Sequence, residues 1–120
     1  MLLAFSVAPS GTPAGGNPAS SAASPASSST YGADGSVHDA VAAAVKIVRE
    51  SGLPHQTDSM FTTIEGEWDE VFAVVKQATE AVGRFGSRVS LVIKADIRPG
   101  YSGELSGKVE RLEKAISESR

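Results

Sequence analysis

The sequence predicts an α+β domain built on a four-stranded antiparallel sheet, and three observations carry this prediction. In residues 2–7 and 88–97 every second side chain forms a wholly apolar set, as on the buried face of a strand. Segments that begin near Ser36 and Trp68 repeat apolar residues at helical spacing. Residues 55–67 are rich in threonine and have the length of a hairpin. The order β-α-β-β-α-β, followed by a further helix, is that of the ferredoxin-like fold, in which two helices cover one sheet face.

The alternating segments define two faces of the predicted sheet. The first strand should end at Pro9, and its Leu3, Phe5 and Val7 form an apolar face that should pack on the helices. The other sheet face is expected to stay open. By parity it should present Ser6, Thr63, Glu65, Ser90, Val92, Lys94 and Asp96. Such a mixed polar face can be wetted by solvent or covered by a second copy of the chain.

Local sequence signals indicate where the hairpin turns and which residues the helices bury. Ser36 with Asp39 resembles a capping box at the start of the first helix, and residues 58–60 are the expected hairpin turn. Trp68 fits the apolar stripe of the second helix, which favours a core position for it over stacking on a ligand. The apolar stripes of the first and third helices consist of Val37, Val41, Ala44, Val45 and Val48, and of Leu105, Val109, Leu112 and Ile116.

Residues 9–35 consist almost wholly of Ser, Ala, Gly, Pro, Thr and Asn, apart from Tyr31 and Asp34. Such a stretch buries too little apolar surface to offset the backbone entropy of ordering, which is about 1–2 kcal/mol per residue. Because a strand precedes it and a helix follows it, we interpret it as a flexible insertion. Residues 1–120 are therefore expected to form one domain that this insertion interrupts.

Composition argues against several classes of function. The 120 residues carry a net charge of −3 without any run of Lys or Arg, so nucleic acid is not an expected partner. There is no cysteine, and His38 and His55 lack the spacing that would bring two imidazoles to one metal. The apolar opening, residues 1–5, is too short for a signal-peptide core or a membrane span. A cytoplasmic protein without a membrane partner is expected.

Four blocks of the chain resemble one known family. They are FSVAP at residues 5–9, VKIVRESGLP at 45–54, TTIEGEW at 62–68 and VIKADIR at 92–98. In this order they are similar to the thiamine-binding-protein family of small ferredoxin-like proteins. The resemblance covers nearly all of the chain outside the insertion, which replaces the family's short connection between the first strand and the first helix. It implies a protein that is not an enzyme, forms dimers or tetramers and binds thiamine or its hydroxymethylpyrimidine part, with no other cofactor.

A pocket for the aminopyrimidine of thiamine needs hydroxyls or carboxylates and an apolar or aromatic wall. The candidate ligand-binding residues are Ser6, Thr57, Phe61, Thr62, Thr63, Glu65 and Asp96. All of them except Phe61 have a structural alternative. The hydroxyl of Ser6 can bind nearby backbone, threonines favour strands in any case, and the carboxylates of Glu65 and Asp96 can form ion pairs at a surface or between subunits.

Two further functional hypotheses compete with ligand binding. One is a structural or regulatory homo-oligomer that holds no small molecule, because the open face of the sheet is consumed by self-association. The other is a small hydrolase or isomerase that uses Glu65 and Asp96. The enzyme hypothesis is weak, because the sequence contains no Ser-His-Asp spacing and no glycine-rich phosphate loop.

Overall fold

The computed structural model describes residues 1–12 and 38–119. Their elements are β1 (Leu2–Ser10), α1 (His38–Glu50), β2 (His55–Thr57), β3 (Thr62–Glu65), α2 (Trp68–Val82), a 3₁₀ turn (Gly83–Phe85), β4 (Arg88–Asp96) and α3 (Glu104–Glu118). The four strands form one sheet in the order β2-β3-β1-β4, and neighbouring strands are antiparallel. The predicted ferredoxin-like α+β fold with a C-terminal helix is confirmed. The predicted insertion from residue 13 onward and the cap at Ser36 lie outside the described residues.

The registers of the strands confirm the predicted parity of the two sheet faces. Leu3 of β1 lies between Ile64 of β3 and Ala95 of β4, on the side of the helices. Ala4 lies between Thr63 and Lys94 on the opposite side. The hairpin prediction is also confirmed, since β2 and β3 pair across a turn at residues 58–61.

The helices α1 and α2 pack side by side on the apolar face of the sheet. The largest side chains without solvent exposure are those of Leu3, Val48, Ile64, Val71 and Val82, and they come from β1, α1, β3 and α2. Burying each such side chain contributes about 1.5–3 kcal/mol. This shared core fixes the two helices and the two central strands as one unit.

Trp68 does not lie in this core, contrary to the prediction from its helical spacing. It is 53% exposed and stacks on Phe72 with a centroid separation of 5.4 Å. Trp68 is the first residue of α2 and therefore lies beyond the end of the core, which starts at Val71. Helical spacing alone does not show at which residue the apolar side of a helix stops being covered by the core.

The strand β1 continues through Pro9 to Ser10, although the sequence predicts that it ends at Pro9. The reason is the direction of its hydrogen bonds. The amino group of Met1 donates to the carbonyl of Gly66 over 2.7 Å, and the Gly66 N–H donates to the carbonyl of Met1 over 3.1 Å. Odd-numbered residues of β1 therefore direct their backbone polar groups towards β3 and away from β4. The missing N–H of Pro9 costs no bond to β4, so the proline is tolerated.

None of the helices in the described part of the chain is long and apolar enough to cross a bilayer.

Candidate functional site

A hollow of about 190 Å³ lies between the second half of β1, the start of α1 and the turn of the β2–β3 hairpin. We call it the hairpin hollow. It exists because β3 begins at Thr62, opposite Phe5, so that β1 runs on for five residues without another described strand on that side. The residues that line it are Phe5, Ser6, Val7, Ala8, Val41, Ala44, Val45, Thr57, Asp58, Ser59, Met60, Phe61 and Thr62.

The backbone of Val7 contributes both a donor and an acceptor to the hairpin hollow. Odd-numbered residues of β1 direct their N–H and C=O towards β3, as Met1 does. Val7 follows the same alternation, so its N–H and C=O point to where β3 would lie if that strand were longer. The residue that would stand opposite is Met60, whose own N–H instead donates to Asp58 over 2.8 Å. The edge of β1 therefore presents an adjacent N–H and C=O pair to the hollow.

Two threonine hydroxyls meet across the hairpin at the same hollow. Thr57 and Thr62 are directly paired residues of β2 and β3, and their Oγ1 atoms lie 3.1 Å apart. Thr62 is buried, whereas Thr57 is exposed. Because each hydroxyl can donate and accept, the pair can reorient its hydrogens to suit a bound polar group.

Asp58 organises the turn that closes the hairpin hollow. Its Oδ1 accepts hydrogen bonds from the N–H groups of Met60 and Phe61, over 2.8 and 2.9 Å. These two bonds, the one from Phe61 first, lower the pKa of Asp58 below its ordinary value. Among the described residues both bonds go to Oδ1, so Oδ2 can still accept from a ligand. The turn also holds the half-buried ring of Phe61 against the hollow.

The structure brings together four of the seven predicted ligand-binding residues. Ser6, Thr57, Phe61 and Thr62 all line the hairpin hollow. Thr63 lies beside Ala4 on the open face of the sheet. Glu65 and Asp96 flank Leu2 at the opposite end of β1, outside the lining of the hollow. A ligand-binding role for these last three stays a prediction.

Glu65 is not solvated on an open face as the parity argument predicts, because α3 covers it. Its Oε2 accepts from the N–H of Glu104 over 2.8 Å, and its Oε1 accepts from the N–H of Leu105 over 3.2 Å. Glu65 therefore caps the N-terminus of α3, where the helix dipole favours a negative charge. Nearby, the Nζ of Lys108 donates to Asp96, and this bond lowers the pKa of the Asp96 carboxyl.

A second hollow of about 160 Å³, the tryptophan hollow, lies at the end of the sheet where Glu65 is found. Exposed Trp68 and Tyr101 line it, and the guanidinium of Arg98 stacks 3.6 Å from the centre of the Tyr101 ring. The connection between β4 and α3, which carries Arg98 and Tyr101, lies beside the start of α2. In the described ranges no group of three His, Cys, Asp or Glu residues could hold a metal ion.

Lowering the pH should remove the contribution of Asp58 to the hairpin turn. The folded-state pKa of Asp58 is below its unfolded value of about 3.9, so its stabilisation is present above that value and is lost as the pH falls through the folded pKa. NMR should show the amides of Met60 and Phe61 shifting with pH below about 4. Asp58→Asn keeps an acceptor oxygen without titrating, so its amide shifts should stay flat. A wild-type titration at the ordinary aspartate value would contradict the assignment.

The fold and the hairpin hollow together define a class of protein. It is a ferredoxin-like domain with a small hollow beside a strand edge that no described strand pairs with. The model of the thiamine-binding protein family matches residues 27–113. The chain is 51% identical over 81 residues to the UPF0045 protein Mb1933 of Mycobacterium bovis. These aligned residues make up 67% of this chain and 79% of that protein. It is 38% identical over 85 residues to the UPF0045 protein sll0230 of Synechocystis, covering 70% of each. The chain belongs to the thiamine-binding protein family.

Solved structures agree with the fold. The hypothetical protein MJ1052 of Methanocaldococcus jannascii superposes with a TM-score of 0.69 at 22% identity, over 93% of this chain and 94% of that one. A Thermotoga maritima protein, TM0486, which its description assigns provisionally to thiamine biosynthesis or salvage, gives a TM-score of 0.57 at 20% identity, over 92% and 99% of the two chains. At these identities the likeness concerns the fold.

Proposed function

We propose that this chain is a non-catalytic binding protein for the hydroxymethylpyrimidine part of thiamine, and that the hairpin hollow is its site. It would act as a carrier, buffer or sensor in the cytoplasm. The observation that carries the proposal is the unpaired edge of β1 at Val7, beside the hydroxyl pair of Thr57 and Thr62. Membership of the family and the description of the Thermotoga relative support the choice of ligand.

The edge of β1 is complementary to an aminopyrimidine. The ligand presents an amine donor next to a ring-nitrogen acceptor, and Val7 presents a C=O next to an N–H on the side of the hollow. The ring would lie against Phe61, while the remaining Oδ2 of Asp58 and the threonine hydroxyls could bind the exocyclic amine and the hydroxymethyl group. These contacts position a planar ring and activate no nucleophile, so they support binding without turnover.

The size of the hairpin hollow favours the pyrimidine fragment over the whole vitamin. Pockets for drug-sized ligands measure roughly 300–1,000 Å³. The hairpin hollow measures about 190 Å³, which suits a single substituted ring. Binding of both rings of thiamine would leave the thiazolium outside the hollow.

Calorimetric titration tests the proposal. Hydroxymethylpyrimidine should bind to the wild-type chain at least as tightly as thiamine does. Phe61→Ala should weaken binding about tenfold, because it removes the aromatic wall. The matched control is Tyr101→Ala, which removes an exposed ring from the tryptophan hollow and should leave the affinity unchanged. The absence of heat with either compound at millimolar concentration would contradict the function. Loss of binding in the Tyr101 variant alone would contradict the site.

A ligand-free homo-oligomer is the second candidate function, and the exposure of β4 favours it. Its Leu91, Val92 and Ile93 are 38%, 53% and 37% exposed, which is a large apolar surface for one edge strand. A shared interface and a ligand site are compatible, so oligomerisation by itself does not decide between the two functions. The titration above separates them.

A further inference from the structure

A groove of about 450 Å³ runs along the outer side of α1, and we call it the helix groove. The residues that line it are His38, Val41, Ala42, Val45, Lys46, Arg49, Glu50 and Thr57. Three of them, Val41, Val45 and Thr57, also line the hairpin hollow. The hollow and the groove therefore adjoin, and a substituent on a ring in the hollow can extend into the groove.

Thr57 presents two hydrogen-bond donors where the hollow and the groove meet. By register it shares the helix-covered face of the sheet with Thr62 and Phe5, so its hydroxyl lies on the side of α1. The N–H of Asp58 donates to the carbonyl of Phe61 across the hairpin over 3.0 Å. By alternation the N–H of Thr57 then points away from β3, towards an edge that no described strand pairs with.

The helix groove has an excess of positive charge, although the whole chain carries a net charge of −3. Lys46 and Arg49 both line it at exposed positions. Within the described ranges no ion pair engages either of them. Glu50 is the one carboxylate among the described lining residues. His38 lies at the opposite end of α1, where its Nε2 is 3.9 Å from a carboxylate oxygen of Asp39.

We propose that the ligand carries a phosphate ester on its hydroxymethyl group, and that the helix groove holds this phosphate between Lys46, Arg49 and Thr57. This inference rests on the proposed function, in which the pyrimidine ring occupies the hairpin hollow. There the hydroxymethyl group meets the threonine pair, and Thr57 of that pair borders the groove. A phosphate on the hydroxymethyl oxygen therefore enters the groove directly.

The groups around this junction match the chemistry of a phosphate. A phosphate monoester carries a charge of about −1.5 to −2 at pH 7 and three strong acceptor oxygens. The guanidinium of Arg49, one turn of α1 beyond Val45, can bind two of these oxygens at once, and Lys46 supplies a second cation. The hydroxyl and the N–H of Thr57 remain for the third. The carboxylate of Asp58 lines the hollow and not the groove.

The same charge disfavours the other extension of the pyrimidine, which is the thiazolium of whole thiamine. That ring is permanently cationic, and from the hollow it would enter the groove beside Lys46 and Arg49. Like charges in this position repel each other. The charge of the groove and the size of the hollow therefore favour the same ligand, a phosphorylated pyrimidine.

Calorimetric titration of the full chain with hydroxymethylpyrimidine, its phosphate ester and thiamine monophosphate tests the proposal. At low salt the ester should bind about tenfold more tightly than the unphosphorylated alcohol. This preference should shrink at about 1 M salt, where the Debye length is about 3 Å. Equal affinities for the alcohol and its ester would overturn the inference and leave the proposed function standing, whereas no heat with any compound would overturn both. Tighter binding of thiamine monophosphate than of the pyrimidine ester would overturn the placement of the phosphate.

Substitutions in the helix groove distinguish phosphate binding from a structural role. The double variant K46A/R49A should bind the ester no more tightly than the alcohol, and its affinity for the alcohol should equal that of the wild type. Glu50→Gln should strengthen binding of the ester alone, by about threefold, because it removes a repelling carboxylate. Lys76→Ala removes an exposed lysine of α2 outside the groove and is the matched control. A K46A/R49A chain that keeps the wild-type preference for the ester would overturn the proposal.

Discussion

Replacement of Gly86 by alanine is expected to destabilise the fold by about 1–3 kcal/mol, towards the upper end of that range. Gly86 is buried where the chain enters β4, and a Cβ there would lie 2.5 Å from the carbonyl oxygen of Ser10 and 2.9 Å from its nitrogen. Both are backbone atoms of the neighbouring strand, so neither can move aside as a flexible side chain could. The strand end must shift, and the pairing of β1 with β4 must weaken with it.

Urea unfolding measures this effect, and Gly83→Ala is the matched control. Gly83 lies three residues earlier at φ −60, and the nearest atom to its Cβ would be the Cγ2 of Val89 at 3.8 Å. An alanine fits that position and should be neutral or stabilise the fold by up to about 1 kcal/mol. Equal midpoints for the two variants would show that Ser10 does not approach Gly86 as closely as described.

Replacement of Glu65 by alanine should release α3 from the sheet and lower the free energy of unfolding by about 2 kcal/mol. The carboxylate accepts the N–H groups of both Glu104 and Leu105, and Glu104 is itself buried and paired with Arg111. Without Glu65 the first turn of α3 loses two charge-assisted hydrogen bonds and leaves a buried helix start uncapped. Far-ultraviolet circular dichroism should show a loss of helix that accompanies the lower stability.

Two further variants sharpen the Glu65 prediction. Glu65→Gln retains one acceptor oxygen and should lose less stability than the alanine variant. Glu110→Ala removes an exposed carboxylate from the outer part of α3 and should have little effect. The capping role is wrong if the alanine variants of Glu65 and Glu110 unfold at the same urea concentration.

Local pattern was enough to predict most of the fold. Alternation in residues 2–7 and 88–97 predicted the two longest strands, β1 and β4, although only β1 alternates in burial as well. The threonine-rich segment predicted the hairpin for a similar reason. The extension of β1 through Pro9 was missed, since tolerance of a proline depends on which neighbour its missing N–H would have faced. That neighbour is a property of the assembled sheet.

The candidate site was predictable in part, and the reason is the same. Thr57 and Thr62 lie on the two strands of the predicted hairpin, so their meeting could be anticipated. The capping of α3 by Glu65 could not, because its partners lie 39 and 40 residues away and α3 carries no local sign of its docking. The exposure of Val41 was also missed. This residue belongs to the apolar stripe of α1, but it is 39% exposed and lines the hairpin hollow.

The two elements that flank residues 13–37 are β1 and α1, and both supply walls of the hairpin hollow. This connection therefore joins two of the elements that line the hollow. Each doubling of a loop's length costs only about 0.6 kcal/mol. Relatives can thus diverge in selectivity through this one connection while inheriting an unchanged scaffold.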